Sequence, residues 1–457
     1  MSDGVAPRAA APVGLPRELP RGWQSKQLRR VASAKASNID KKTVDGQASV
    51  LLCNYVDVYY NRQIVSTLDF MEATATAEQA VNFELRQGNV LITKDSETPS
   101  DIGVPAFVPA DLPGVLCGYH LSHIRPGKEL SGAFLTYCFQ AGGIQDHFYS
   151  NATGVTRFGL SRSDIGTCPI PLPPLSVQLA IAAHLDRETA KIDTLVAKKR
   201  ELIAKLKEQR SALISRTITR GLPPEAAQAA GLDPNPPMKD SGVAWLGEVP
   251  KHWSGTRLRF ATRGIEQGWS PSCDNQLADE DQWGVLKVGC VNGAFFDEAE
   301  HKALPIEIAP LTRYEIRTGD ILMSRANTMD LLGSAALVGS VRGKLLLCDK
   351  LYRLRLREEL VEDFLIYFLQ AHQSRFQLER EATGTSGSMQ NIGQDTIKNL
   401  RFFLPPATEQ RAIVNYLVDA GQRIGQTMNL CGEAITRLTE YRAALITAAV
   451  TGQVDVR

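Results

Sequence analysis

The stretch FFLPPATEQRAIVNYL, Phe402 to Leu417, repeats IPLPPLSVQLAIAAHL, Ile170 to Leu185, at a distance of 232 residues in a chain of 457. Four more pairs keep the same order and nearly the same offset. ELPRGWQSKQLR (Glu18 to Arg29) returns as EVPKHWSGTRLR (Glu248 to Arg259), and FELRQGNVLITK (Phe83 to Lys94) returns as YEIRTGDILMSR (Tyr314 to Arg325). FLTYCFQ (Phe134 to Gln140) matches FLIYFLQ (Phe364 to Gln370), and the ATG of Ala152 to Gly154 matches that of Ala382 to Gly384. The chain is therefore a tandem duplication. Between the anchors the halves diverge, most of all at residues 30–80 against 260–310. A shared frame with different inserts implies one fold aimed at two different targets.

Each half has two parts. The first mixes short β-like runs with helical ones and is punctuated by Gly and Pro, which reads as an α+β domain. Gly88 and Gly319 each precede Asn or Asp and then an apolar run, so each is expected at a positive φ in a turn leading into a strand. The second part opens at the Pro-Pro pair. From Gln178 to Thr219 there is neither Gly nor Pro. Leu185, Ile192, Leu206 and Leu213 fall on one heptad position, with Leu195 and Leu202 expected on the other. In the second copy Leu417, Ile424, Cys431, Leu438 and Leu445 keep the seven-residue ladder.

A helix of this length, about 60 Å at ~1.5 Å per residue, cannot bury its stripe alone. The expected architecture is two tandemly duplicated globular α+β domains separated by two long helices that pack as an antiparallel intramolecular coiled coil, with pseudo-two-fold symmetry. The alternative is that each helix packs only on its own domain. The expected boundaries are a disordered tail at 1–14, a first domain at 15–172, a helix at 173–222, a Pro-rich linker at 223–240, a second domain at 241–404 and a helix at 405–457.

Chemistry is sparse. No G-x-x-x-x-G-K-[ST] loop occurs, and GSAALVGSVRGKL (Gly333 to Leu345) lacks its spacing and its Mg²⁺-binding hydroxyl. NPPM (Asn235 to Met238) has Met where a base-stacking aromatic would sit and lies in the Pro-rich linker. The eight cysteines form no C-x-x-C pair, which suits reduced thiols in a cytoplasmic protein. His120 and His123 lack a partner at ligand spacing and read as satisfied structural histidines, so no metal is expected. Fifty-one basic and fifty acidic side chains give +1 overall, so any nucleic-acid contact must rest on local charge. No window reaches the roughly 20 apolar residues of a membrane span. The residues thus describe a binding protein.

Two variable α+β domains, each followed by a long helix introduced by LPP and a Gln-x-x-Ile, resemble the specificity subunit of type I restriction-modification systems. LTEYRAALITAAVTGQVDVR (Leu438 to Arg457), its counterpart LKEQRSALISRTITRGL (Leu206 to Leu222) and SGVAWLGEVPKHW (Ser241 to Trp253) carry the likeness, which covers nearly all of residues 15–457. The resemblance implies that each variable domain is a target recognition domain reading one half of a bipartite, asymmetric duplex DNA target. It implies that the helices set the spacing and dock two modification subunits. Those partners would use S-adenosylmethionine to methylate adenine N6, and restriction subunits would add cleavage driven by ATP and Mg²⁺. The chain itself would be non-catalytic and without cofactor.

Within that frame the ATG loops are the candidate DNA contacts. In the first copy these are Thr153, Gly154, Thr156 and Arg157, and in the second Thr383, Gly384, Thr385, Ser386, Ser388 and Gln390. Small residues let backbone amides approach phosphates, while Arg157 suits guanine and Gln390 adenine. A plain structural turn explains the loops equally well. Lys94, Ser324 and Arg325, at the ends of matched strands, are candidate phosphate contacts, although Lys94 and Arg325 read at least as well as a solvated surface pair. Trp23 and Trp253 read as core residues. Two other readings stay open: a coiled-coil scaffold with duplicated docking domains, and a stand-alone DNA enzyme.

Overall fold

The two turns RQGN and RTGD are built alike. Gly88 and Gly319 take φ of +88° and +87°, which only glycine adopts without strain. The residue that follows closes each turn: Asn89 Oδ1 accepts from the Arg86 N–H, and Asp320 Oδ2 from the Arg317 N–H, both at 2.9 Å. Each turn delivers the chain into a fully buried strand, Val90–Thr93 or Ile321–Ser324. The computed structural model describes residues 19–457 apart from 274, 294, 387, 388, 455 and 457. The tail expected at 1–14 lies outside the described residues.

The chain divides into two units, residues 1–200 with 432–457 and residues 201–431. In the first unit the buried strand joins a four-stranded antiparallel sheet in the order Ala32–Ala36, Leu121–Pro126, Val90–Thr93, Pro105–Phe107. The second unit repeats the order with Thr262–Gln267, Leu351–Leu356, Ile321–Ser324 and Ala335–Leu337. Both units also pair the first strand of the domain with the last. Gln24–Gln27 lies antiparallel to Pro169–Leu172, and Ser254–Arg257 to Arg401–Leu404.

The inserts differ, as the divergence of residues 30–80 and 260–310 requires. In the first unit the insert is a four-stranded sheet in which Ala48–Cys53 runs parallel to Leu112–Cys117. In the second it is a three-stranded sheet of His301–Ala303, Gly284–Leu286 and Leu345–Leu346. Each insert has its own apolar core, around Leu52, Ile64 and Leu116 in one case and Leu286, Val291 and Leu346 in the other.

The Pro-Pro pairs are followed by helices of 46 and 44 residues, Leu175–Arg220 and Ala407–Val450. Proline's missing N–H and fixed φ end the preceding strand and suit the first turn of a helix. The Gln that recurs in the motif locks the joint. Gln178 is fully buried, donates to the carbonyls of Glu129 and Pro173 at 2.8 and 2.9 Å, and accepts from the Ser131 N–H at 2.8 Å. Gln410 repeats this with Glu359, Pro405 and Val361 at the same three distances. A buried amide with its groups satisfied stabilises the joint; left unpaired, the same groups would be costly.

Each unit contains stretches of both helices. In the first, Ile181 and Leu185 of the central helix share a core with Ile446, Ala449 and Val450 of the C-terminal helix and with Phe134, Tyr137 and Phe148 of the domain. Further along, Asp193 meets Arg442, so the two stretches run antiparallel. In the second unit Ile214 and Ile218 pack with Ile413, Val414, Leu417 and the buried Trp253. Both helices therefore contribute to the core of each domain, unlike the alternative in which each serves only its own.

The seam corrects one expectation. Leu185, Ile192, Leu417 and Cys431 are buried and Leu206, Leu213, Ile424, Leu438 and Leu445 partly so, but Leu195 and Leu202 are 48% and 42% exposed. Their neighbours Val196 and Ile203 turn inward instead, four residues beyond Ile192 and three before Leu206. Adjacent apolar residues left both faces open in the first copy, and Val196 and Ile203 are the more buried of each pair. The 223–240 stretch is also more ordered than a plain linker: Pro224–Ala229 is helical with Ala227 buried, and Met238–Asp240 pairs with Glu248–Pro250.

Candidate nucleic-acid interface

In each unit the ATG loop pairs with the chain that leaves the central buried strand. In the first unit Phe158 and Gly159 lie opposite Ser96 and Asp95, and the Leu160 N–H donates to the Lys94 carbonyl at 2.8 Å. Thr153 and Gly159 exchange two backbone hydrogen bonds of 3.1 and 2.9 Å, which closes residues 153–159 into a loop. Gly154, at φ +146°, is required there, because a Cβ would run into the carbonyl oxygen of Arg157. Thr153, Gly154, Thr156 and Arg157 are exposed, and Arg157 makes no ion pair among the described residues.

In the second unit Ala326–Asn327 pairs with Met389–Asn391, which pairs with Thr383–Ser386. The Ile392 N–H donates to the Arg325 carbonyl at 2.9 Å, the same bond that Leu160 makes to Lys94. A Cβ on Gly384 would lie 2.7 Å from the Met389 carbonyl oxygen, so this loop also depends on glycine. Thr383 and Gly384 are exposed and Gln390 is half-buried beside them. Thr385 and Ser386 belong to the strand, while Ser388 lies outside the described residues.

The strand-end residues are less free than their polarity suggests. Lys94 Nζ pairs with Asp95 Oδ2 at 2.9 Å and lies 4.8 Å from the centre of the Tyr119 ring. His120 Nδ1 donates to the same carboxylate oxygen at 2.8 Å. Arg325 reaches the Asp349 carbonyl at 3.3 Å and stands over the Tyr352 ring at 5.8 Å. Its Nε is buried without a partner among the described residues. Ser324 does not belong to the interface. It is fully buried, and its hydroxyl donates to the Leu331 carbonyl at 2.9 Å, because its place on the fully buried strand turns it into the protein.

Asp95, Tyr119 and His120 therefore join the first unit's surface without having been singled out by sequence as DNA contacts. The signal was present in GYHLSH, whose histidines divide by strand alternation. His123 points inward to Asn89 Oδ1 at 2.7 Å, and His120, one residue ahead of the strand, faces Asp95. Burial, with Arg125 adding to it, pushes the His123 pKa down to about 3.

Comparison with known proteins fits this duplicated layout. The family described as type I restriction modification DNA specificity domain matches residues 20–205 and 309–429. The specificity subunit of the type I restriction enzyme EcoEI of Escherichia coli is 31% identical over 188 residues, which are 41% of this chain and 31% of that subunit. The EcoKI specificity subunit of Escherichia coli (strain K12) is 22% identical over 348 residues, 75% of this chain and 69% of that one. Two solved structures share the fold at 20% identity and cover 96% of the chain. One is the HsdS subunit from Thermoanaerobacter tengcongensis, with TM-score 0.52 and 99% of its chain covered. The other is a chain from a structure describing complex assembly and conformational transition of the type I R-M system, with TM-score 0.66 and full coverage. Two copies of one α+β frame on paired long helices, with family matches in both halves, place this chain in the type I restriction-modification DNA specificity family.

Proposed function

We propose that the chain is the non-catalytic, sequence-reading subunit of a cytoplasmic type I restriction-modification complex, each unit recognising one half of a bipartite, asymmetric DNA target. The observation that carries this reading is the recurrence of a glycine-dependent loop paired to the same strand exit in both units, beside inserts of different topology. The shared part suits backbone contact with phosphate, and the variable part suits base-edge readout. Two unlike readers give two unlike half-sites with an unread gap.

The helices serve as spacer and as platform for two modification subunits. These carry S-adenosylmethionine and methylate adenine at N6, while restriction subunits supply cleavage driven by ATP and Mg²⁺. Duplex DNA presents the same face about every 34–36 Å, so a stiff spacer selects a fixed gap. Lengthening both helices by about one turn and mapping methylated sites tests the spacer directly. The expected result is an altered gap between unchanged half-sites; an unaltered gap contradicts it.

A further inference from the structure

The duplication supplies an internal control for the surface where helices meet domain. In the first unit that surface is closed. Arg62 donates to Asp186 at 2.6 Å and to Thr189 at 2.9 Å, and lies 4.4 Å from the Tyr137 ring centre. The Tyr137 hydroxyl donates to Asp186 at 2.7 Å. Arg442 then pairs with Asp193 at 2.9 Å. Each of these residues has a polar partner inside the unit.

In the second unit the tyrosine and the seam arginine persist as Tyr367 and Arg210, but their partners do not. At the positions 232 residues after Asp186, Thr189 and Asp193 stand Val418, Gly421 and Gly425. Among the described residues no counterpart of Arg62 fills the space, and a cleft of about 800 Å³ opens there between Arg210, Tyr367, Val418 and the exposed Phe295. A second cleft of about 580 Å³ begins on the other side of Arg210, and Arg210 and Gln370 line both. Arg210 has no hydrogen bond or ion pair among the described residues. Asp330 and Asp363 lie along the groove without bonding to it.

In the first cleft Phe295, Phe296, Leu337, Ile366 and Val418 stand about the unpaired Arg210 guanidinium, an arrangement that asks for a carboxylate flanked by apolar side chains. Its length, two clefts meeting at Arg210, suits a stretch of polypeptide better than a small molecule. A phosphate backbone would match Arg210 and Lys207 of the second cleft but leave Phe295, Phe296 and Val418 against water. We propose that this groove receives a segment of one modification subunit, which sets a carboxylate on Arg210 and apolar side chains against the two phenylalanines. The first unit, closed by Arg62, engages its modification subunit without such an insertion. The inference rests on the modification-subunit docking proposed above and makes the two docking sites unequal.

Gly425→Asp tests it. This change copies the first unit by placing a carboxylate beside Arg210, and a Cβ at Gly425 meets nothing within 4 Å. The full chain is titrated with its co-encoded modification subunit, and stoichiometry and affinity are read by native mass spectrometry and calorimetry. Wild type is expected to take two copies. Gly425→Asp and, independently, Phe295→Ser are each expected to weaken one of the two sites by at least about tenfold and leave the other unchanged. Two copies bound with unaltered affinity by both variants overturn the inference and leave the proposed function standing. Unaltered uptake with a loss of DNA affinity assigns the groove to phosphate and overturns the inference too. A wild-type chain that takes up no modification subunit overturns the docking proposal and this inference together.

Discussion

Gln410 Oε1 accepts a hydrogen bond from the Val361 N–H at 2.8 Å, tying the first turn of the C-terminal helix to the N-terminus of helix Glu362–Gln370. Gln178 and Ser131 make the same bond in the first unit. The motif after Pro-Pro is thus a joint, in which one buried amide fixes the departure of a long helix from its domain. Gln410→Leu strands the Val361 N–H and two carbonyls. Urea unfolding is expected to show a loss of about 1–3 kcal/mol for each group left unpaired, partly offset by apolar burial. A change below about 0.5 kcal/mol would mean the amide does not hold the joint.

The seam has a direct mutational signature. Leu185→Ala removes a fully buried side chain and is expected to cost about 2–5 kcal/mol. Leu195→Ala and Leu202→Ala, on exposed positions, should each stay within about 0.5 kcal/mol. Chemical denaturation of the three variants checks the assignment, and a cost at Leu195 equal to that at Leu185 would reverse it.

Acid should act on the first unit through His123. Its partner is the neutral Asn89, whereas the matched pair in the second unit is the buried salt bridge of Arg353 and Asp320 at 3.2 Å. His123 ordinarily titrates near 6.5 and is depressed to about 3 in the folded chain, so below pH 6.5 the unfolded chain binds the additional proton. Stability contributed by the neutral ring is therefore present above pH 6.5 and is lost as pH falls towards 3. The slope approaches ~1.4 kcal/mol per pH unit at most. His123→Gln is expected to remove this part of the slope in thermal melts between pH 7 and pH 4; an unchanged slope would assign the acid sensitivity elsewhere.

The loop residues should separate by role. Arg157, exposed and without an ion pair among the described residues, is expected to set preference at one half-site, and Arg157→Ala to cost about 1–3 kcal/mol against matched DNA only. Lys94→Ala should weaken all sequences alike and reduce the salt slope, after allowance for the Asp95 pairing that Lys94 gives up. Equal effects of the two changes on matched and mismatched duplexes would refute this division.

Much of the architecture was legible because duplication turns one sequence into two readings of the same fold. Gly88 and Gly319, the Pro-Pro joints and the ladder from Leu185 to Leu213 all appear twice. The inward face of the central helix is ambiguous at Leu195 and Leu202, where Val196 and Ile203 offer an equally apolar alternative one residue on. The second copy resolves that choice, since Met428 and Ile435 stand at the matching inward positions and Thr427 and Ala434 at the others. The candidate site was less legible. Ser324 looks like a polar strand end but serves an internal hydrogen bond, and the grouping of Lys94, Asp95 and His120 depends on a strand register that local pattern does not encode. The groove at Arg210 becomes visible only when the domain is seen against both helices.

The central claim is that each unit reads its own half of one split target. The direct measurement is genome-wide mapping of methylated adenines for the chain complexed with its modification subunit, wild type beside Arg157→Ala. The account predicts a bipartite motif with a fixed gap in the wild type, and in the variant a relaxed base preference confined to one half with the other half and the gap intact. An undivided motif, or relaxation of both halves together, would contradict it.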